Sequence, residues 1–169
     1  MSEPANPDVP GAPTPSAMSS APAQGGSRAL EVVRLDPDLP LPAPAHPGDA
    51  GLDLVAATPV TLAPGERGLV GCGIAVAVPQ GHVGLVNPRS GLALRHGVTV
   101  LNGPGTVDAG YRGELRVILV NHGTEPVTFS RGERIAQLVV VPFVAVEVQE
   151  VDELDGTERG TGGFGSTGR

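Results

Sequence analysis

The chain has 169 residues, of which 25 are Gly and 18 are Pro, with a formal net charge of −7 and no Lys among its basic side chains. The acidic balance excludes a broad nucleic-acid-binding surface, which needs a basic excess. No apolar run reaches the length of a membrane helix. Hardly any helix-length window is free of Gly or Pro, so the length is that of one all-β domain of short strands and loops.

Residues 1–28 are mostly Pro, Ala, Gly and Ser. Such a segment buries too little apolar surface to offset its ordering entropy and reads as a disordered tail. It lacks the basic start and apolar stretch of a signal peptide, and the single Cys72 has no intrachain partner. Both features point to the cytoplasm. A strand is expected over 29–35, followed by a loop over 37–47 that contains five prolines. Asp49 and Asp53 straddle Ala50-Gly51. Short strands are expected over 60–62, 68–71, 73–78 and 82–86, with the one helix over 88–96. The runs 98–101 and 115–120 read as two strands meeting at a wide hairpin. Strands over 127–129, 135–141 and 144–148 complete the domain, 29–151. An acidic linker (152–158) leads to a glycine-rich arm (159–169).

Residues 135–148 are the most continuously apolar region. A strand wet on one face alternates, so this run implies burial on both faces. The cover would come from another subunit or from a central position in a sandwich.

The chemistry-bearing residues cluster in four places. The hairpin holds a carboxylate (Asp108), the only tyrosine (Tyr111) and two guanidiniums (Arg112, Arg116). An acid, an aromatic plate and cations on a stiff loop suit a site for a ring and a phosphate chain; an ordinary turn, with Asp108 in an Asx-turn and Tyr111 on the core, is the competing reading. Pro88-Arg89-Ser90-Gly91 is a strand-to-helix turn whose N–H groups, hydroxyl and guanidinium suit a phosphate, unless Ser90 merely caps the helix. Gln137 is a polar side chain within an apolar strand, where facing solvent is the simple alternative. The arm Arg159-Gly-Thr-Gly-Gly-Phe164-Gly165-Ser166 is not a P-loop, which requires a lysine. Its arginine, aromatic ring, hydroxyls and glycine N–H groups nevertheless suit closure over an anionic ligand.

Five segments, in order, resemble the motifs of the trimeric dUTPase family: Ala50-Gly-Leu-Asp-Leu54, Pro88-Arg-Ser-Gly-Leu-Ala93, Asn102-Gly-Pro-Gly-Thr-Val-Asp-Ala-Gly-Tyr-Arg-Gly-Glu114, Arg131-Gly-Glu-Arg-Ile-Ala-Gln-Leu138 and Arg159-Gly-Thr-Gly-Gly-Phe-Gly-Ser-Thr-Gly168. The resemblance covers residues 30–168. It implies a jelly-roll-like β-sandwich assembled as a homotrimer, which hydrolyses dUTP to dUMP and pyrophosphate. That reaction supplies the dTTP precursor and keeps uracil out of DNA.

The resemblance also implies roles. Asp108 would activate the water that attacks the α-phosphorus. Tyr111 would lie beneath the deoxyribose, leaving no room for a 2′-hydroxyl. Main-chain groups of the hairpin, from Asn102 through Thr106 and Val107, would pair with uracil. Arg89, Ser90 and Gly91 would hold phosphates, with Gln137 and Arg116 nearby. Arg159, Phe164, Gly165 and Ser166 would close over a neighbouring subunit's site. Gly103 stands where the family often has serine, which leaves main-chain pairing intact. The His residues are scattered without metal-ligand spacing. The implied Mg²⁺ would ride on the triphosphate, and Asp53 would act on it through water or brace the site. Two rivals are a dCTP deaminase, whose required glutamate would correspond to Ile118, and a non-catalytic nucleotide-binding trimer.

Overall fold

The computed structural model describes residues 29–163. The strands are β1 (Glu31–Arg34), β2 (Leu52–Val55), β3 (Val60–Leu62), β4 (Arg67–Ala77), β5 (His82–Asn87), β6 (Val98–Val100), β7 (Gly105–Val107), β8 (Glu114–Asn121), β9 (Val127–Phe129) and β10 (Arg134–Pro142). The helix α1 (Ser90–His96) separates β5 from β6. Two four-stranded sheets, β1-β4-β8-β6 and β2-β10-β5-β7, form the layers, and β3-β9 is a separate two-stranded ribbon. The fold is an all-β, jelly-roll-like sandwich.

Alternation explains the core. On β4 and β8, Val70, Cys72, Leu115, Val117 and Leu119 are buried. They join Leu54, Val86, Val107, Ala136 and Leu138 of the other sheet in one apolar cluster. Each large side chain among them contributes about 1.5–3 kcal/mol by leaving water. Phe129 and Leu62 of the ribbon extend the cluster. Asn121, fully buried, donates from Nδ2 to the carbonyls of Leu62 and Glu125 and accepts from the Gly123 N–H, so its polarity is matched. The helix ends at Gly97, whose φ of 67° and close approach to the Gly123 backbone admit only glycine.

Three expectations need correction. The strands expected over 68–71 and 73–78 are one strand, β4, because Gly71-Cys72-Gly73 forms a bulge rather than a break. Its pairing with β8 slips between Gly71 (opposite Arg116) and Ala75 (opposite Glu114), and Gly73 takes φ 66°. The hairpin is not a simple one. β6 and β8 pair in one sheet, but between them the chain crosses to the other sheet as β7, against β5. Neither β7 nor β2 was expected, because three or four residues between turn formers carry little periodicity. Finally, 144–148 is not a strand. The chain leaves the sheet after Pro142, and Val144, Val146 and Val148 stand 83%, 79% and 92% exposed. An apolar run needs a cover to become a strand, and the described residues supply none.

Candidate active site

Sheet register brings three distant segments together. On β10, Gln137 lies opposite Asp53 of β2 on one side and Asn87 of β5 on the other. Two residues beyond Asn87 the chain reaches Arg89 and enters α1. The result is a cleft of about 360 Å³ lined by Asp49, Gly51, Asp53, Arg89, Ser90, Gly91 and Gln137, among others.

The cleft is braced by charge. The Asp53 carboxylate pairs with Arg89 Nε at 3.3 Å through Oδ1 and with Arg134 Nη1 at 3.0 Å through Oδ2. Arg89 Nη1 also donates to the Arg134 carbonyl at 3.1 Å. Arg134 had no place in the sequence reading, and the reason is a bulge. Residues three apart on a regular strand face opposite sides, but Arg134 pairs with Val55 and Gln137 with Asp53, partners only two apart. The extra residue puts both side chains on one face. The two pairs are partly solvated, so their contribution is positional more than energetic.

The competing readings of Ser90 and Gln137 are replaced. Arg89 occupies the N-cap position without a side-chain cap, and Ser90 is the first helical residue. The Leu92 and Ala93 N–H groups both donate to the Arg89 carbonyl, leaving those of Ser90 and Gly91 for the cleft. Gln137 is half-buried and donates from Nε2 to the Pro88 carbonyl at 3.0 Å. Its amide lies where a Cβ on Gly51 would stand, so Gly51 keeps that space open.

The hairpin is built differently. Asp108 is exposed, and its carboxylate has no hydrogen-bond partner among the described residues. The turn closes instead through its main chain, the Tyr111 N–H donating to the Asp108 carbonyl at 3.0 Å. Tyr111 is 45% exposed rather than packed in the core. Its O–H donates to the Glu114 carbonyl at 2.9 Å. Arg112 folds back, Nη1 donating to the carbonyls of Ala109 and Tyr111, so it serves the turn. Arg116 pairs with Glu114 at 3.5 Å. Asn102 and Thr106 are exposed, whereas Val107 turns its side chain into the core and offers a ligand only its main chain.

The start of the hairpin lies against the cleft, Gly103 beside Pro88 and Gly105 opposite Val86, but its Asp108 end runs away from it. Val107 lies opposite Gly84, which puts Asp108 beside Val83, six residues before Arg89 along the chain. At about 3.3 Å per residue the two are about 20 Å apart. Arg159 is exposed, with Nε donating to the Gly162 carbonyl at 3.0 Å. Phe164, Gly165 and Ser166 lie outside the described residues.

A family model described as dUTPase matches residues 38–168. A deoxyuridine 5′-triphosphate nucleotidohydrolase of Thermobifida fusca is 60% identical over 144 residues, covering 85% of this chain and 80% of its own length. One from Anaeromyxobacter is 62% identical over 133 residues, covering 79% and 90% respectively. The chain belongs to the dUTPase family. Among solved structures, the Staphylococcus bacteriophage 80alpha dUTPase with dUPNHPP is similar at a TM-score of 0.78 and 31% identity, over 85% of this chain and 100% of that one. A mutant dUTPase of phage phi11, described for its coordination of a structural Mg(II) ion, is similar at a TM-score of 0.71 and 27% identity, over 76% and 100%.

For a dUTPase-family member the deaminase rival fails on its own residue. Ile118, on β8 opposite Leu69, is an apolar side chain that cannot move protons. No group of three or more His, Cys, Asp or Glu side chains among the described residues is placed to hold a metal. Both Asp53 oxygens are held by guanidiniums, and Asp49 Oδ2 accepts the His46 N–H. This donor set does not fit a directly ligated Mg²⁺. No helix among the described residues is long and apolar enough to cross a membrane.

Proposed function

We propose that this dUTPase-family enzyme hydrolyses dUTP to dUMP and pyrophosphate in a site shared between subunits of a homotrimer. What supports the shared site is the register of β7 on β5, which sets Asp108 beside Val83, about 20 Å of extended chain from Arg89 and further than a triphosphate would bridge. One subunit's hairpin therefore meets another subunit's cleft. The exposed Val144, Val146 and Val148 give the assembly a further apolar contact.

Chemically, the free Asp108 carboxylate accepts a proton from a water held beside the α-phosphorus. The water oxygen bonds to phosphorus as the bridging oxygen leaves with pyrophosphate. Arg89, Arg134 and the Ser90 and Gly91 N–H groups hold the phosphate charge, and Gln137 fixes the cleft wall. Tyr111 backs the deoxyribose, while the main chain of Asn102, Thr106 and Val107 meets uracil. The linker 152–158 spans about 25 Å when extended, enough for Arg159, Phe164, Gly165 and Ser166 to close over a neighbour's site. A Mg²⁺ carried by the triphosphate would neutralise part of its charge, with Asp53 acting on it through water or bracing the site. The site of action is the cytoplasm, where the buried Cys72 stays a thiol.

The test is complementation. Asp108→Asn and Arg89→Ala chains are each assayed for pyrophosphate release from dUTP with the product identified as dUMP, then unfolded, mixed and refolded together. Each variant alone is nearly inactive, and the mixture regains activity because some sites unite an intact hairpin with an intact cleft. A mixture as inactive as its components would overturn the shared site.

A further inference from the structure

Within the reading that Tyr111 backs the sugar, its ring must be held in one orientation, yet a side chain 45% exposed on a hairpin is free to change rotamer unless something stops it. Two neighbours do so. The ring lies directly over Gly113, where a Cβ would stand 2.5 Å from Oη, 2.7 Å from Cζ and 3.1 Å from Cε2. The Gly113 backbone is not among those with positive φ, so its own conformation would tolerate a side chain. The Tyr111 ring is the obstacle. The second neighbour is Glu114, whose carbonyl accepts the Tyr111 O–H.

Glu114 is itself tied to the other strand. Its Oε1 accepts the Gly73 N–H of the β4 bulge at 3.0 Å and fills the space over Gly71, where a Cβ would stand 2.5 Å away. Its Oε2 pairs with Arg116. The side chain is 28% exposed, so this anchor is partly shielded from water. The glycines of the β4 bulge, which carry no ligand chemistry, thereby fix a point from which the ring is positioned.

We propose that Gly113 and Glu114 are positioning residues that set the sugar selectivity of the site: Gly113 as the flat seat under the Tyr111 ring, Glu114 as the anchor that holds its hydroxyl end to β4. The inference rests on the reading of Tyr111 given above. A tilted ring would leave space at the 2′ position of the sugar, and ribonucleotide would gain on deoxyribonucleotide.

The chain has one Tyr and no Trp, so intrinsic emission reports Tyr111 alone. Four variants, Gly113→Ala, Glu114→Ala, Glu114→Gln and Tyr111→Ala, are compared by kcat/KM for dUTP and for UTP. Tyrosine emission and its quenching by iodide are followed in the variants that retain Tyr111, and circular dichroism checks that all four fold. Gly113→Ala and Glu114→Ala are expected to lower the dUTP-over-UTP ratio about tenfold and to change the quenching. Glu114→Gln, which keeps an oxygen for the Gly73 N–H, is expected to restore most of the ratio. Folded Gly113→Ala and Glu114→Ala proteins with unaltered ratio and emission, beside a Tyr111→Ala protein that has lost selectivity, overturn the seat alone. A Tyr111→Ala protein with unaltered selectivity overturns the reading of Tyr111, and the seat as a selectivity device falls with it.

Discussion

The cleft and the hairpin solve the problem of holding a charged group in opposite ways. In the cleft every charged or amide group has a protein partner: Asp53 is shared by two guanidiniums, Arg89 reaches a carbonyl of β10, and Gln137 binds the Pro88 carbonyl. The hairpin leaves the Asp108 carboxylate without one among the described residues and holds itself by short-range bonds around Tyr111 and Arg112. A site that must bind a polyanion gains from prearranged cations, which would otherwise repel each other and stay hydrated. A base that must take a proton loses basicity if it is already paired. On the proposed reading, binding is preorganised within a subunit, while the group for chemistry waits for substrate and a neighbouring chain.

Substitutions can break that division. The largest effect is expected at Asp108. Asp108→Asn should lower kcat by about 10²–10⁴ with little change in affinity for a non-hydrolysable dUTP analogue, measured by rapid-quench turnover beside calorimetric binding. Weakened binding of similar size would place Asp108 with the cleft instead.

Next comes the brace. Asp53→Ala frees Arg89 and Arg134 from their common partner, and a rise in KM of about tenfold is expected once the partial exposure of both pairs is discounted. Equal damage to KM and kcat would mean that the brace also sets reaction geometry.

Gly51→Ala is expected to push the Gln137 amide off its place, at a cost of about 1–3 kcal/mol in stability and a severalfold higher KM. Denaturant melts and steady-state kinetics check the two parts separately. Unchanged values would mean that Gln137 swings aside freely and that the cleft is less rigid than the hairpin.

The smallest effect concerns the bulge beneath the hairpin. Burial, with the nearby Glu114 charge, pushes the Cys72 thiol up to about 12 from 9.0. A pKa raised by folding means that the folded state holds the proton more tightly. Stability is therefore unaffected by this group below pH 9 and falls above it, by about 1.4 kcal/mol per pH unit until the folded value is reached. Cys72→Ala should lose stability at neutral pH through its cavity but lose less than the parent between pH 9 and 10, as read from denaturant melts. Parallel losses would show that Cys72 ionises without hindrance.

Much of the molecule was legible in the residue order. Turn formers and β-branched runs marked an all-β fold, and 88–96 was read as the one helix, within two residues of α1. The motifs that resemble the dUTPase family contain Arg89, Ser90, Gly91, Gln137 and Asp53, which do line one cleft. Local sequence sets the turn, the helix start and the alternating strand that carry them, while the register of β10 on β2 and β5 brings them together. Tertiary structure decided the rest. Arg134 reaches Asp53 of the cleft only through a bulge in β10, and Glu114 is tied to β4 only because a second bulge there brings the Gly73 N–H to it. Pairing register is a contact between strands far apart in the chain, so no periodicity within either strand announces it. The apolar run at 144–148 shows the converse: its composition called for cover, but none of the described residues supplies it.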